Sequence, residues 1–197
     1  MPELTGPASH ELGFWRGLVE QHGAGYRAFR IAEYKDKTQR FEPWWSEQEG
    51  NGVEIGCGCL SVFDEDPRFR IFIDPLIYEY CGFCFDIERQ GRYWTHDAED
   101  MSIWRDETFE FAVCINMLDH TPNPGKVVSE IYRLLKPGGR LFMEVHLDDA
   151  LSPAHYGLWT EQTVKDIVDP VFQNCLMKQV VRVDQDNQSQ YWAVFQK

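Results

Sequence analysis

Basic residues are scarce in this chain, and long apolar runs are missing from it. Lys and Arg total 19 against 32 Asp and Glu, for a formal charge of −13 and a pI near 4.8. That balance, with no Lys/Arg run to displace counter-ions, argues against the phosphate backbone of nucleic acid as a main partner. An anionic membrane surface is disfavoured for the same reason. No stretch approaches the ~20 apolar residues a membrane span needs. The opening MPELTGPASHELGFW lacks the charged-then-apolar pattern of an export signal, so the expectation is a cytoplasmic protein. Internal repeats and low-complexity tracts are also missing. Six cysteines without an export signal read as reduced thiols rather than a disulfide framework.

What is present is an ordinary globular composition, 197 residues with 43% hydrophobic and 26% charged. A chain of this length buries enough surface to fold without a metal or a disulfide. Its character changes near residue 50. Before that point aromatic and charged residues dominate, among them Phe14, Trp15, Tyr26, Phe29, Tyr34, Phe41, Trp44 and Trp45. Leu12, Trp15, Leu18 and Val19 fall at helical spacing and predict an amphipathic helix over 9–21, with a second over 24–37. Residues 1–50 therefore read as an N-terminal helical cap, and 51–197 as a ligand-binding domain.

From Glu49-Gly50-Asn51-Gly52 onward, strands and helices alternate. Strands are predicted at 53–55, 70–73, 92–95, Phe109–Ile115 and 140–146. Helices are predicted at 75–90, along the stripe Val127, Val128, Ile131, Leu134, Leu135, and near 160–168. The run Lys136-Pro137-Gly138-Gly139 stops the middle helix and suits a type II turn. Segments 175–184 and 190–197 close as a hairpin. This order predicts an α/β sandwich around a mostly parallel sheet.

The stretch VEIGCGCLS, 53–61, admits two chemistries. Gly56 and Gly58 let a ligand approach bare backbone beyond the end of a strand. The N–H groups of a helix opening behind them would favour an anionic group. Cys57 and Cys59, with Cys81 and Cys84, offer thiolates for a metal. The cysteines are assigned to semi-buried packing and no metal is expected, because Cys81 and Cys84 fall within a predicted helix leading away. Three further segments end on the same sheet edge: Asp74 after the second strand, Asp97-Ala98-Glu99-Asp100 after the third, and Asn116-Met117-Leu118-Asp119-His120 after the fourth. Taken singly, such acids cap helices; four coincident segments point to a ligand site.

Taken in order, VEIGCG, FIDPL, HDAEDM and FEFAVCINMLDHTPNPGKVVSEIYRLLKPGGRLFMEV resemble the class I S-adenosylmethionine-dependent methyltransferases. The resemblance is close over 50–147. It implies a Rossmann-like three-layer sandwich with seven strands, an antiparallel C-terminal hairpin and S-adenosyl-L-methionine as cofactor. By position it implies that Glu54, Gly56, Cys57 and Gly58 surround the cofactor's methionine part. It further implies that Asp74 holds the ribose hydroxyls, with Pro75 and Leu76 beside the adenine. Asp97, Ala98 and Glu99 would meet the adenine edge, and Asn116 and Met117 the sulfonium. The chain departs from the pattern at Leu60, where a third glycine is usual and where the next helix is expected to begin.

Methyl transfer from a sulfonium is an in-line displacement, for which alignment supplies roughly 7–11 kcal/mol of barrier lowering. A base is needed only when the acceptor loses a proton. His120 is the leading choice, His146 the second and His155 a weaker third; for each the alternative is a structural histidine. The first 50 residues and the insert 147–160 would wall the acceptor site. So small a cap suits a small-molecule acceptor, and the expected reaction is methyl transfer to an oxygen or nitrogen of such a molecule. Two rival readings stay open at this stage. One is a nicotinamide-dependent oxidoreductase, for which Ser61 breaks the usual glycine pattern. The other is a methyltransferase-like binding protein without turnover. Oligomeric state is unreadable from the sequence.

Overall fold

The computed structural model describes residues 7–84, 91–148, 155–183 and 188–197. Seven strands form one sheet in the order β3-β2-β1-β4-β5-β7-β6: β1 Gly52–Ile55, β2 Phe69–Ile73, β3 Tyr93–Trp94, β4 Phe109–Ile115, β5 Leu135–Leu147, β6 Asn174–Val183 and β7 Gln188–Gln196. The pairs β1–β2, β1–β4, β2–β3 and β4–β5 are parallel, while β7 runs antiparallel to both β5 and β6. The Rossmann-like architecture with a closing hairpin is the one expected. The chain reverses its winding between β1 and β4, so the C-terminal ends of β1, β2 and β4 diverge around a crevice.

Each face of the sheet carries its own core. Val53, Ile55, Ala112, Cys114, Leu141, Met143 and Val145 face the helices α4 (Pro124–Leu134) and α5 (Glu161–Val168). The α4 stripe Val127, Val128, Ile131 and Leu134 is fully buried there. Leu135 is buried as well, but as the first residue of β5. Alternate strand residues point the other way, and Phe72, Phe111, Val113, Phe142, Trp192 and Val194 pack against Trp15, Tyr26, Phe41 and Trp45 from the N-terminal segment. Helices α1 (Pro7–His22) and α2 (Tyr26–Gln39) thus cover that face of the sheet.

Several expectations are corrected. No helix follows the glycine loop: residues 56–68 cross from β1 to β2 as turns, and α1 and α2 supply the layer such a helix would have filled. Leu60 therefore opens no helix. It is buried, and its carbonyl accepts from Arg30 Nε at 2.9 Å. The helix expected over 75–90 shrinks to α3 (Ile77–Tyr80) followed by turns to Cys84; the rest of that range lies outside the described residues. The third strand is only two residues long, Tyr93–Trp94. Lys136-Pro137-Gly138-Gly139 is a looped-out segment early in β5, since Phe109 pairs with Leu135 while Phe111 pairs with Arg140. Gly138 takes φ +78°, as the expected turn requires. Cys59 and Cys84, read as separate thiols, are brought together sulfur to sulfur with Cα atoms 6.3 Å apart, a span a disulfide bridges. Folding ties the glycine loop to the turn after α3, a contact that spacing could not show.

Candidate active site

A cavity of about 400 Å³ opens at the C-terminal edge of β1, β2, β3 and β4. Gly56 follows β1, Asp74, Pro75 and Leu76 follow β2, Asp97 and Ala98 follow β3, and Asn116, Met117 and His120 follow β4; all of them line it. Nine of the proposed site residues therefore converge on a single space. Each comes from a chain that leaves its strand there, because residues beyond the last ladder hydrogen bond are free to turn outward.

The backbone is shaped for close approach. Gly56 and Gly58 adopt φ +76° and +63°, and Asn116, which is not a glycine, adopts +49°. A Cβ on Gly56 would collide with the Met117 side chain, so Gly56 is required for packing as well as for conformation. The Asn116 N–H donates to the Glu144 carbonyl at 2.9 Å, which fixes the left-handed turn. Its Oδ1 is buried without a hydrogen-bond partner, as is His96 Nε2, and both residues line the cavity. Unpaired buried polar atoms are costly, so each stands ready to meet a polar group of a ligand.

Asp74 is buried beside the loop. Its Oδ2 accepts from the Gly58 N–H at 3.0 Å and its Oδ1 from the Leu76 N–H at 2.9 Å. Burial pushes its pKa up to about 7, with the backbone donors pulling the other way. One lone pair on each oxygen stays available on the cavity side.

Five of the proposed residues do not reach the cavity wall. Glu54 points behind the loop, where the Ser61 hydroxyl donates to it; burial raises its pKa to about 8. Cys57 is buried, and desolvation holds its thiol neutral. Gly58 is covered by the Trp15 indole, which occupies the place a Cβ would take. Glu99 ties the chain after β3 to the start of α4, accepting from Thr121 Oγ1 at 3.1 Å, Asn123 N at 2.9 Å and Asn123 Nδ2 at 2.7 Å. His146 sits on the far part of β5, its Nε2 3.1 Å from Gln190 Nε2 and 3.3 Å from Glu144 Oε1.

Other residues that sequence reasoning missed do line the cavity. Pro7, Ala8 and Glu11 come from α1, Glu79 from α3, and His96, Thr121 and Tyr156 from loops. Glu11 carried no signal, because an acid on an amphipathic helix reads as solvent-facing. Here Trp15 Nε1 donates to it, and burial raises its pKa. Tyr156 lies within the insert 147–160 named as a wall.

The chain matches the methyltransferase domain family over residues 26–167. It belongs to that family, and its fold is that of the class I S-adenosylmethionine-dependent methyltransferases. A ubiquinone biosynthesis O-methyltransferase of Pseudomonas syringae pv. syringae is 42% identical over 45 residues, 23% of this chain and 19% of the relative. The human thiol S-methyltransferase TMT1B is 27% identical over 119 residues, 54% of this chain and 45% of the relative. The chain thus spans less than half the length of either curated relative. Among solved structures, the 1,6-didemethyltoxoflavin-N1-methyltransferase of Burkholderia thailandensis, with bound 1,6-didemethyltoxoflavin and S-adenosylhomocysteine, superposes with a TM-score of 0.64. It is 16% identical and covers 100% of this chain and 92% of its own. That likeness bears on the fold.

Proposed function

We propose that this methyltransferase-family chain binds S-adenosyl-L-methionine in the cavity and transfers its methyl group to an oxygen, nitrogen or sulfur of a small molecule. The observation that carries the reading is the convergence of Gly56, Asp74, Asp97 and Asn116 on one cavity at the sheet edge where this family's fold places its ligand. The relatives named above act on oxygen, sulfur and nitrogen, so family membership leaves the accepting atom open.

The residues present suit the cofactor. Asp74 has carboxylate lone pairs for vicinal hydroxyls, Asp97 faces the end that would take the base, and Asn116 Oδ1 is an unpaired acceptor suited to an amino group. Bound there, S-adenosylmethionine supplies an electrophilic methyl carbon on a sulfonium. The protein's own part is to hold that carbon in line with the acceptor and to keep water out. Pro7 and Ala8 of α1 and Tyr156 wall the opening, which suits a small acceptor. Of the three histidines weighed as bases, His120 lines the cavity while His146 and His155 do not, and we assign His120 to the acceptor end. Residues 1–50 act in this reading as the cap, and 51–197 as the cofactor-binding domain.

A second reading, a binding protein without turnover, draws on one contact, the Trp15 indole seated on Gly58. Calorimetric titration with S-adenosylmethionine and with NAD separates the readings. Saturable heat with S-adenosylmethionine alone is expected. Heat with NAD alone would overturn the proposal, and heat with neither would favour the binding protein.

A further inference from the structure

We infer that Asp119, His120 and His155 form a binding site for a borderline divalent cation of the zinc class, at the acceptor end of the cavity and apart from the cysteines. Their ligand atoms all lie within 4.8 Å of one another. The helical turn Leu118–His120 after β4 turns Asp119 into the protein and His120 toward the cavity. His155 returns to them from beyond β5, and the Tyr156 N–H donates to the Asp119 carbonyl at 2.8 Å, which holds the two segments together.

Asp119 is the decisive residue. It is 0% exposed, and neither carboxylate oxygen has a hydrogen-bond partner. The imidazole nitrogens facing it are His155 Nε2 at 3.4 Å and His120 Nε2 at 3.9 Å from the same Oδ2, with the carboxylates of Glu144, Asp148 and Glu11 acting on it from around. Donors sharing one small tetrahedral ion, each about 2.0–2.2 Å from it, stand about 3.3–3.5 Å apart. The first distance already meets this, and a small turn of His120 closes the second.

The outer contacts point the same way. Asp148 holds His155 Nδ1 at 2.9 and 3.0 Å and also accepts from the Trp159 N–H at 3.3 Å. A carboxylate only accepts, so Nδ1 donates to Asp148 and Nε2 is the ring nitrogen turned to Asp119 and left to meet an ion. Glu11 Oε2 stands 3.6 Å from His120 Nδ1, at ion-pair rather than hydrogen-bond distance. A carboxylate bonded behind the imidazole, as Asp148 is behind His155, is the usual outer shell of a histidine-bound metal. The ion pairs of Asp119 and Asp148 among the described residues are to histidines alone. Two imidazoles and one carboxylate favour zinc-class ions over calcium or magnesium.

Three protein ligands leave a fourth position open, and since His120 lines the cavity that position faces the acceptor. A hydroxyl or thiol bound there gives its proton to water and keeps the electron pair that attacks the methyl carbon. The carbon–sulfur bond then breaks with its pair left on sulfur. This use rests on the methyl-transfer reading, whereas the binding of the ion does not.

The test is calorimetric titration of chelator-treated protein with zinc chloride, alongside visible absorption with cobalt(II). One equivalent at a micromolar or tighter dissociation constant is expected, with cobalt bands of a tetrahedral nitrogen–oxygen site. Asp119→Asn and His155→Gln should each weaken zinc binding at least tenfold, and Asp148→Asn by about 10–100-fold. Melting curves identify any variant that fails to fold. Asp119, His155 and Asp148 do not line the cavity, so the heat of S-adenosylmethionine binding should survive in Asp148→Asn. No zinc uptake by the parent protein, or uptake unchanged in both Asp119→Asn and His155→Gln, would overturn the site. Loss of S-adenosylmethionine binding by the parent protein would count against the methyl-transfer reading alone.

Discussion

Asp74 holds the glycine loop and faces the cavity with the same carboxylate, so one substitution reports on both roles. Asp74→Ala removes the acceptors for the Gly58 and Leu76 N–H groups along with any ribose contact. A tenfold or greater weakening of S-adenosylmethionine binding is expected, about 1.4 kcal/mol or more, and an unchanged dissociation constant would reject the role. Asp74→Asn preserves shape and one acceptor oxygen, so it should fold more stably than the alanine variant while still binding more weakly than the parent. Glu54 behaves differently, because it lies behind the loop with a pKa near 8. In the unfolded chain a glutamate titrates near 4.3. The native state therefore binds more protons between these values, and the stabilisation present at low pH is lost as pH rises through about 8. Glu54→Gln should flatten that part of the melting-temperature profile between pH 5 and 8.5. A variant with the parent's slope would show that Glu54 titrates normally.

At the scale of elements, α1 has two tasks that its amphipathic pattern did not separate. Its apolar stripe packs on the sheet, while Ala8 and Glu11 on an adjoining face reach the cavity. Trp15 joins the two tasks. It is buried, lies under the Arg30 guanidinium at 4.7 Å and meets Tyr80 edge-on at 6.5 Å. Trp15→Ala should cost about 3–5 kcal/mol by urea unfolding, the range for a large buried ring, and a loss below 1 kcal/mol would mean that α1 is loosely held. Helix α5 offers a smaller contrast. Its capping box joins Thr160 and Thr163, each side chain bonded to the other's backbone N–H. Thr160→Ala should lower stability by about 1 kcal/mol without changing ligand binding.

On the scale of the whole molecule, the two cores lie on opposite faces of the sheet and the ligand site lies at its edge, lined in part by Ile73 and Ala98 of one core and Leu76 of the other. A ligand that binds only the native state stabilises it by mass action. At 100 times its dissociation constant, S-adenosylmethionine should add about 2.7 kcal/mol to the unfolding free energy. The corresponding rise in melting temperature should be absent with NAD. A shift with both ligands would indicate a non-specific site.

The sheet's composition and the position of its ligand edge were legible in the sequence, because both rest on local signals. Alternation of apolar residues marks strands and helices, glycine marks positive φ, and Asp74, Asp97 and Asn116 follow strand ends directly. Family-like blocks strengthened that reading over 50–147. The tertiary structure alone decided which side chains reach the cavity. Glu54, Cys57, Gly58, Glu99 and His146 fall away from it because strand alternation and packing set where each points. The structure alone also showed that α1 and α2 replace the helix expected after the glycine loop, and that Glu11, His96 and Tyr156 join the wall. Contacts between distant segments, such as Asp119 with His155 or Cys59 with Cys84, leave no periodic trace in the chain, because they arise only when loops from separate strands meet at one edge.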